Sequence, residues 1–403
     1  MPQQPRHLDP WISPAAFFGS ELRNLRTERA LSQAELGRIV HISGDLVGKI
    51  EKGQRRPAPD LINRLDSTLS ANGTLARLIV TMHGPDSNGE PLEKSELATV
   101  LTDSNGAESL AALRQVVNGM RQLDHGLGAG LQLTALLAQA EMAEPLVFST
   151  TGELHNQVLS TLGEIHQLAG WMRFDQGDLR GAEVSFTFAR AFAERAGDAA
   201  LVAYILGPSQ GFAETYYGDP ASGAQHGAEA LVWARRAGNA RLTAFVLTIG
   251  ARAQAKLGDR KRCLEMLDVA RRELDRHQTT RTDPVWLQVF DRAALRGHFG
   301  SCLLDLGQPR RAISPLAKQD ELAPRHFIRN RVIWLLDRAR AHLELDEVDE
   351  GCITITDALT AASGTSSRRT LSRFHAIDGK LRAWACQPQV TDVHERLRLL
   401  DVE

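Results

Sequence analysis

The chain has 403 residues, with 47 Lys and Arg against 49 Asp and Glu, a formal net charge of −2 and 43% hydrophobic residues. That length exceeds one compact domain, and the apolar share suffices for a large core. The near-neutral balance excludes a chain that is basic throughout, and no apolar run reaches the length of a bilayer span. No membrane partner is therefore expected, and the expected location is the cytoplasm. The cysteines, Cys263, Cys302, Cys352 and Cys386, are far apart in sequence. They form neither a disulfide framework nor a CxxC metal pair, and buried thiols of a reducing compartment are expected.

Residues 1–16 open as MPQQPRHLDP, polar and proline-rich, without the apolar stretch of a secretory signal. A disordered arm is expected there. From residue 17 helical periodicity begins, with Phe18, Leu22 and Leu25 on one face. Ser32-Gln33-Ala34-Glu35 has the spacing of a capping box, which starts a second helix with Leu36, Ile39 and Val40 facing inward. His41-Ile42-Ser43 breaks it, and Ser43 is the N-cap of a third helix carrying Val47 and Ile50. Gly53 stops that helix, Pro57 and Pro59 forbid its continuation, and Asp60 opens a fourth with Leu61, Leu65 and Leu69. Two short helices joined by a tight turn make a helix-turn-helix. Between residues 17 and 80 there are ten basic and seven acidic residues, a net positive head on a mildly acidic remainder. That polarity fits nucleic-acid binding at one end.

The stretch Leu22–Leu69 resembles the helix-turn-helix domain of the xenobiotic-response-element regulators, which include the lambda-type phage repressors. The matching residues are Leu31-Ser32-Gln33-x-x-Leu36, Ile42-Ser43 and Ile50-Glu51-x-Gly53, followed by Arg55, Arg56 and Pro57. The resemblance implies that the third helix enters the major groove with Ser43, Gly44, Asp45 and Lys49 near base edges. It implies phosphate contacts from Gln33, Lys52, Arg55 and Arg56. Lys49 is the best base reader among these, because a cation pairs with guanine O6 and N7. Asp45 either accepts from a cytosine amino group or caps the helix. It also implies a buried pair between Arg26 and Glu51. The chain departs from the family at His41, where a glycine with positive φ is usual, and at Gly44 and Gly48, which weaken the third helix.

Residues 81–106 read as a linker, with turn-rich clusters at His83–Gly89 and Asp103–Gly106 and a short helix near Lys94–Leu101. Residues 107–150 read as connecting or dimerising helices. Beyond them a pattern repeats, in which a turn glycine precedes a small residue and then aliphatics: Gly177 with Ala182, Gly218 with Gly223, Gly258 with Cys263, Gly307 with Ala312, and Asp346 with Gly351. A period of about forty residues with a small residue after each turn means stacked helical hairpins.

This ladder resembles the tetratricopeptide repeat, whose turn carries Gly-Asp or Gly-Asn and whose second helix opens with Ala. The repeats are placed over 151–365, with capping helices over 366–403. The fold class expected is all-α, a lambda-repressor-like helix-turn-helix domain at 17–80 followed by a tetratricopeptide-like α-solenoid. In such a stack the first helix of each pair lines the concave face. Placing each repeat by its anchor puts Gln167, Trp171, Phe212, Arg252, His298 and Arg340 on or near that face. Those residues suit an elongated ligand with a carboxylate, such as a peptide or acyl compound.

No enzymatic constellation emerges. His125-Gly126-Leu127-Gly128-Ala129-Gly130 lacks a preceding strand and a phosphate-loop lysine, and reads as a helix break. The histidines are dispersed, with no HExxH and no nucleophile-base set, so no catalytic residues, metal or cofactor are expected. The expected protein is a sequence-specific transcription regulator, dimeric, binding a double-stranded DNA operator and controlled by a peptide, small molecule or partner on the repeats. The alternative is a repeat adaptor whose DNA-binding domain is vestigial.

Overall fold

A computed structural model describes residues 14–55, 57–69, 71, 75, 106–127, 132–277, 283–322, 327–363 and 367–400. The chain divides into two compact units, residues 1–94 and 95–403. The described residues are helical in both, with no strand among them.

In the first unit, α1 is Pro14–Glu28, α2 is Gln33–Ile39, α3 is Gly44–Glu51 and α4 is Pro59–Thr68. The start of α1 lies inside the expected arm, whose remainder is outside the described residues. Ser32 and Glu35 close the expected capping box on α2. Ser43 caps α3 through its hydroxyl, which accepts from the Leu46 amide. Gly53, at φ 68°, ends α3 in the left-handed region. The fourth helix begins at Pro59 rather than Asp60, with Ala58 at the cap position, because proline is preorganised for the first helical residue. The core of this unit is Phe18, Leu22, Leu36, Val40, Val47, Ile50, Ile62, Leu65 and Leu69. Ile39 does not join it and is 45% exposed. Gly37 takes the inward position instead, where a Cβ would stand 2.7 Å from the Ile42 carbonyl oxygen.

The second unit opens with α5 (Gly106–Leu127) and α6 (Gln132–Ser149), which pack on α7 (Gly152–Asp175). The expected linker and its short helix lie outside the described residues, except that α5 already starts at Gly106. Five hairpins follow. The first pairs α7 with α8 (Leu179–Ala196). In the second, α9 (Ala199–Tyr204), a π-helical turn Ile205–Gly211 and α10 (Phe212–Tyr216) run into α11 (Pro220–Ala237). Next come α12 (Ala240–Lys256) with α13 (Arg260–Arg276), α14 (Arg292–Asp305) with α15 (Pro309–Leu322), and α16 (Ile328–Leu343) with α17 (Val348–Ala362). The pair α18 (Arg368–Leu381) and α19 (Pro388–Leu400) ends the stack.

The turn anchors explain the stack. Gly177, Gly218, Gly258, Gly307 and Asp346 all have positive φ, between 59° and 101°. That backbone suits glycine, and Asp346 tolerates it because a short polar side chain is least penalised there. Asp178, Asp219 and Asp259 then cap the second helices through their carboxylates. The small residues Ala182, Gly223, Cys263, Ala312 and Gly351 follow at constant spacing and are buried, so the two helices of each hairpin approach closely. The longer interval before Gly307 holds an inserted turn, Val285–Val289, whose neighbour Phe290 stacks on Phe245 with centroids 4.4 Å apart.

Long-range ties join the early hairpins to the late ones. Arg329 pairs with Asp124 of α5 and, at 3.1 Å, with Asp175 at the end of α7. Ser367 donates to Asp175 at 3.0 Å and Arg369 Nε at 3.3 Å. All five residues are buried.

Candidate nucleic-acid interface and body cavity

The α3 helix is held by a buried carboxylate. Glu51 is fully buried at its C-terminal end and accepts from Arg26 Nε at 2.5 Å and Arg26 Nη2 at 3.2 Å. Gln33 Nε2 donates to the same carboxylate at 2.6 Å, and Arg23 stands 3.5 Å away. The third Arg26 nitrogen, Nη1, donates to the Leu31 carbonyl at 2.6 Å. The cluster thus ties α1, the start of α2 and the end of α3 with its arginine satisfied on every edge. The expected Arg26–Glu51 pair is present. Gln33, expected on a phosphate, has its amide nitrogen engaged by Glu51 and is half-buried.

The glycines of α3 have packing reasons. A Cβ at Gly44 would lie 2.9 Å from the Ala34 Cα, and one at Gly48 would lie 3.1 Å from Gln33 Oε1. Gly44 lets α2 and α3 touch, and Gly48 leaves room for Gln33 to reach Glu51. His41 has φ 57° in the turn between them, as the family comparison of that position implies.

What α3 shows to solvent is short and charged. Asp45, Lys49 and Lys52 are exposed and lie on one face at helical spacing. Asp45 neither caps the helix nor stands alone: Ser43 is the cap, and the Asp45 carboxylate pairs with Lys49 Nζ at 2.7 Å. The hydrogen bond from Lys49 lowers the pKa of Asp45 below the usual carboxylate range. Arg55 is exposed beyond the helix, and Arg56 lies outside the described residues.

In the body, four of the six expected ligand residues meet. Gln167, Trp171, Phe212 and His298 line one cavity of about 50 Å³ with Leu168, Phe245 and Ile249. A buried water needs about 10–15 Å³ on this measure, so the cavity has room for only a few waters. Arg252 and Arg340 do not line it. Both pair with Asp305, each at 3.5 Å, and Lys256 joins them at 2.9 Å. The cations that do line it are Arg121, Arg329 and Arg369, which the repeat pattern did not single out. The Arg369 guanidinium lies 5.2 Å from the Trp171 and Phe174 ring centroids and 5.9 Å from that of Phe212. Burial drives the pKa of His298 down to about 3, so its imidazole is neutral at the cavity wall.

One sequence signal could have found Arg121 and Asp124. Leu110 and Val117 form the buried stripe of α5, and Arg121 and Asp124 continue that stripe with charge. Charged residues at core positions mark a polar interior. The π-helical turn is the other signal. Gly207, Pro208 and Gly211 fall within one helix, and such interruptions gather at functional sites. There Ser209 accepts from Gln167 at 3.0 Å and donates to the Tyr204 carbonyl at 3.2 Å.

A family model described as "Helix-turn-helix domain" matches residues 18–78. No curated protein matches. Among solved structures, that of Bacillus thuringiensis PlcR in complex with the peptide PapR7 and DNA aligns over 91% of this chain and 99% of that one. Its identity is 11% and its TM-score 0.32, too low to weigh on fold or function. The weight rests on the family match together with the α2–turn–α3 geometry, the capping box and the Glu51 cluster. Residues 18–78 are a helix-turn-helix domain of the xenobiotic-response-element type, followed by a repeat-built body whose described residues contain helices and no strand.

Proposed function

We propose that this protein is a sequence-specific DNA-binding transcription regulator whose operator affinity is controlled through its helical body, and that it is not an enzyme. The observation that carries this reading is the exposed face of α3. Asp45, Lys49 and Lys52 project from a helix whose other side is anchored by the buried Glu51 cluster. A helix so held can be read against DNA without rearranging its own core.

In this reading α3 lies in the major groove. Ser43, Gly44, Asp45 and Lys49 meet base edges, and Lys52, Arg55 and Arg56 meet phosphates. Asp45 pairs with the Lys49 ammonium, and guanine O6 and N7 compete for it. The protein acts as a homodimer on two half-sites about one helical turn apart. The effector is a peptide or small molecule that binds the body and prefers one arrangement of the dimer, since equal affinity for both would shift nothing.

The test is enrichment of randomised duplexes on the full-length protein. The expected product is an imperfect palindrome with half-sites about 10 base pairs apart. Enrichment of no common sequence would leave the adaptor alternative in its place.

A further inference from the structure

Arg121 is a buried guanidinium with one edge unused. Its side chain is 4% exposed. Nη1 donates to Gln167 Oε1 at 3.0 Å, while Nε and Nη2 have no hydrogen-bond partner among the described residues. The nearest carboxylate to Nη2, that of Glu164, stands at 3.9 Å, and burial raises the Glu164 pKa. The same molecule shows what that edge is for. Arg26 uses its Nε and Nη2 to grip Glu51 side-on, the bidentate geometry that guanidinium offers carboxylates.

The surroundings favour an anion there. Arg121, Arg329 and Arg369 are buried and line the cavity, and the buried carboxylates Asp124 and Asp175 lie against Arg329. Both carboxylates are held by Arg329, and Asp175 also by Arg369. Arg121 has only the distant Glu164 carboxylate, beyond hydrogen-bond reach at 3.9 Å, and a second guanidinium nitrogen, Arg369 Nη2, is also buried without a hydrogen-bond partner. Buried guanidinium N–H groups without hydrogen bonds are costly unless something arrives to accept from them. The space is present on both sides of Arg121. It lines the apolar cavity with Trp171 and Phe212, and also an adjoining cavity of about 350 Å³, lined as well by His125 and Phe327.

We infer that Arg121 is the anion-binding group of a ligand site in the body, and that the ligand is a carboxylate with a compact apolar portion. Its two oxygens accept from Arg121 Nε and Nη2, and its apolar portion occupies the adjoining cavity of about 350 Å³ against His125 and Phe327. The carboxylate of a free organic acid and the C-terminal carboxylate of a short apolar peptide share this chemistry. The inference rests on the proposed control through the body for its biological role, but ligand binding can be measured without reference to DNA.

The experiment titrates full-length protein with hexanoate, benzoate and N-acetyl-leucyl-leucine, each beside its amide, following Trp fluorescence and heat. The expected result is that at least one acid binds at least tenfold more tightly than its amide, a difference of about 1.4 kcal/mol. Arg121→Gln abolishes that preference, while Arg121→Lys keeps part of it. The acid-amide comparison on the unmodified chain stands even if a variant folds poorly. A response to hexanoate or benzoate assigns the site to a small acid, and a response to N-acetyl-leucyl-leucine alone assigns it to a peptide end. Equal binding of acid and amide, no binding at about 10 mM, well above the range of weak affinities, or an undiminished preference in Arg121→Gln overturns the inference. DNA affinity is followed in the same samples. Acid binding that leaves operator affinity unchanged refutes the control reading and keeps the site. Absent acid binding with intact operator affinity refutes the site and keeps the regulator.

Discussion

The two units each bury a cluster of arginines and carboxylates, and the two clusters are built differently. In the helix-turn-helix unit one carboxylate, Glu51, is served by Arg26 and Gln33, and all three nitrogens of Arg26 are used. In the body Arg329 and Arg369 share two fully buried carboxylates, Arg121 stands 3.9 Å from Glu164, and Arg121 and Arg369 keep nitrogens without hydrogen-bond partners. The first is a closed polar network that fixes helix positions. The second is open, and an open network in a low-dielectric interior is costly enough to need a reason. Burial of charge alone does not distinguish the two clusters; unsatisfied donors on arginines that also line a cavity do.

The largest expected effect tests the closed cluster. Glu51→Ala strands Arg26 in the interior, and breaking such a pair costs about 3–5 kcal/mol. The melting transition of the helix-turn-helix unit should be lost while that of the body is unchanged. An unaltered transition would mean that Glu51 does not hold the unit together.

The body offers a contrast within one cluster. Arg329 bonds both Asp124 and Asp175, so Arg329→Met should destabilise the body by about 3–5 kcal/mol. Arg121 makes a single hydrogen bond, so Arg121→Met should change stability by no more than about 1 kcal/mol, in either direction. Chemical denaturation of both variants decides this. Equal losses would erase the distinction between the closed and open parts of the network.

Much of the frame was legible because it is local. Ser32 and Glu35 are three residues apart, Ser43 directly precedes its helix, and Gly177, Gly218, Gly258, Gly307 and Asp346 each announce a left-handed turn. The Arg26–Glu51 pair was legible only through family resemblance, since its partners are 25 residues apart. The lining of the body cavity was half legible. Gln167, Trp171, Phe212 and His298 follow from hairpin phase, but Arg252 and Arg340 take the neighbouring Asp305 instead. The cavity's own cations come from outside the repeat phase. Arg121 lies on α5, and Arg329 meets Asp124 across 205 residues, a separation that no local periodicity encodes. Ile39 failed for a related reason, since a seven-residue helix presents too narrow a stripe to fix its inward face by pattern alone.

Smaller effects follow at the exposed face of α3. Arg55→Ala should weaken binding to all duplexes alike and reduce the salt slope by about one phosphate contact. A loss confined to one sequence would instead make Arg55 a base reader.

A further effect is in the pH response of the body. His298 is held neutral down to about pH 3, below its unfolded value of 6.5. Between those values the unfolded chain takes a proton that the folded chain refuses, so stability falls as pH drops from about 6.5 towards 3. His298→Gln should remove this share, about 1–2 kcal/mol at pH 5 once its partial exposure is allowed for. Parallel pH–stability curves for the variant and the parent would show that His298 takes no part.

The central claim is that the α3 face reads base sequence, and the most direct test is the affinity ratio between the enriched duplex and a scrambled one of equal length. At physiological salt the full-length protein should prefer its site by at least about 10³-fold. Lys49→Ala should cut that ratio by about 1–3 kcal/mol, with the loss confined to one base pair in each half-site. Equal affinity for both duplexes, or an equal loss on both in Lys49→Ala, would contradict it.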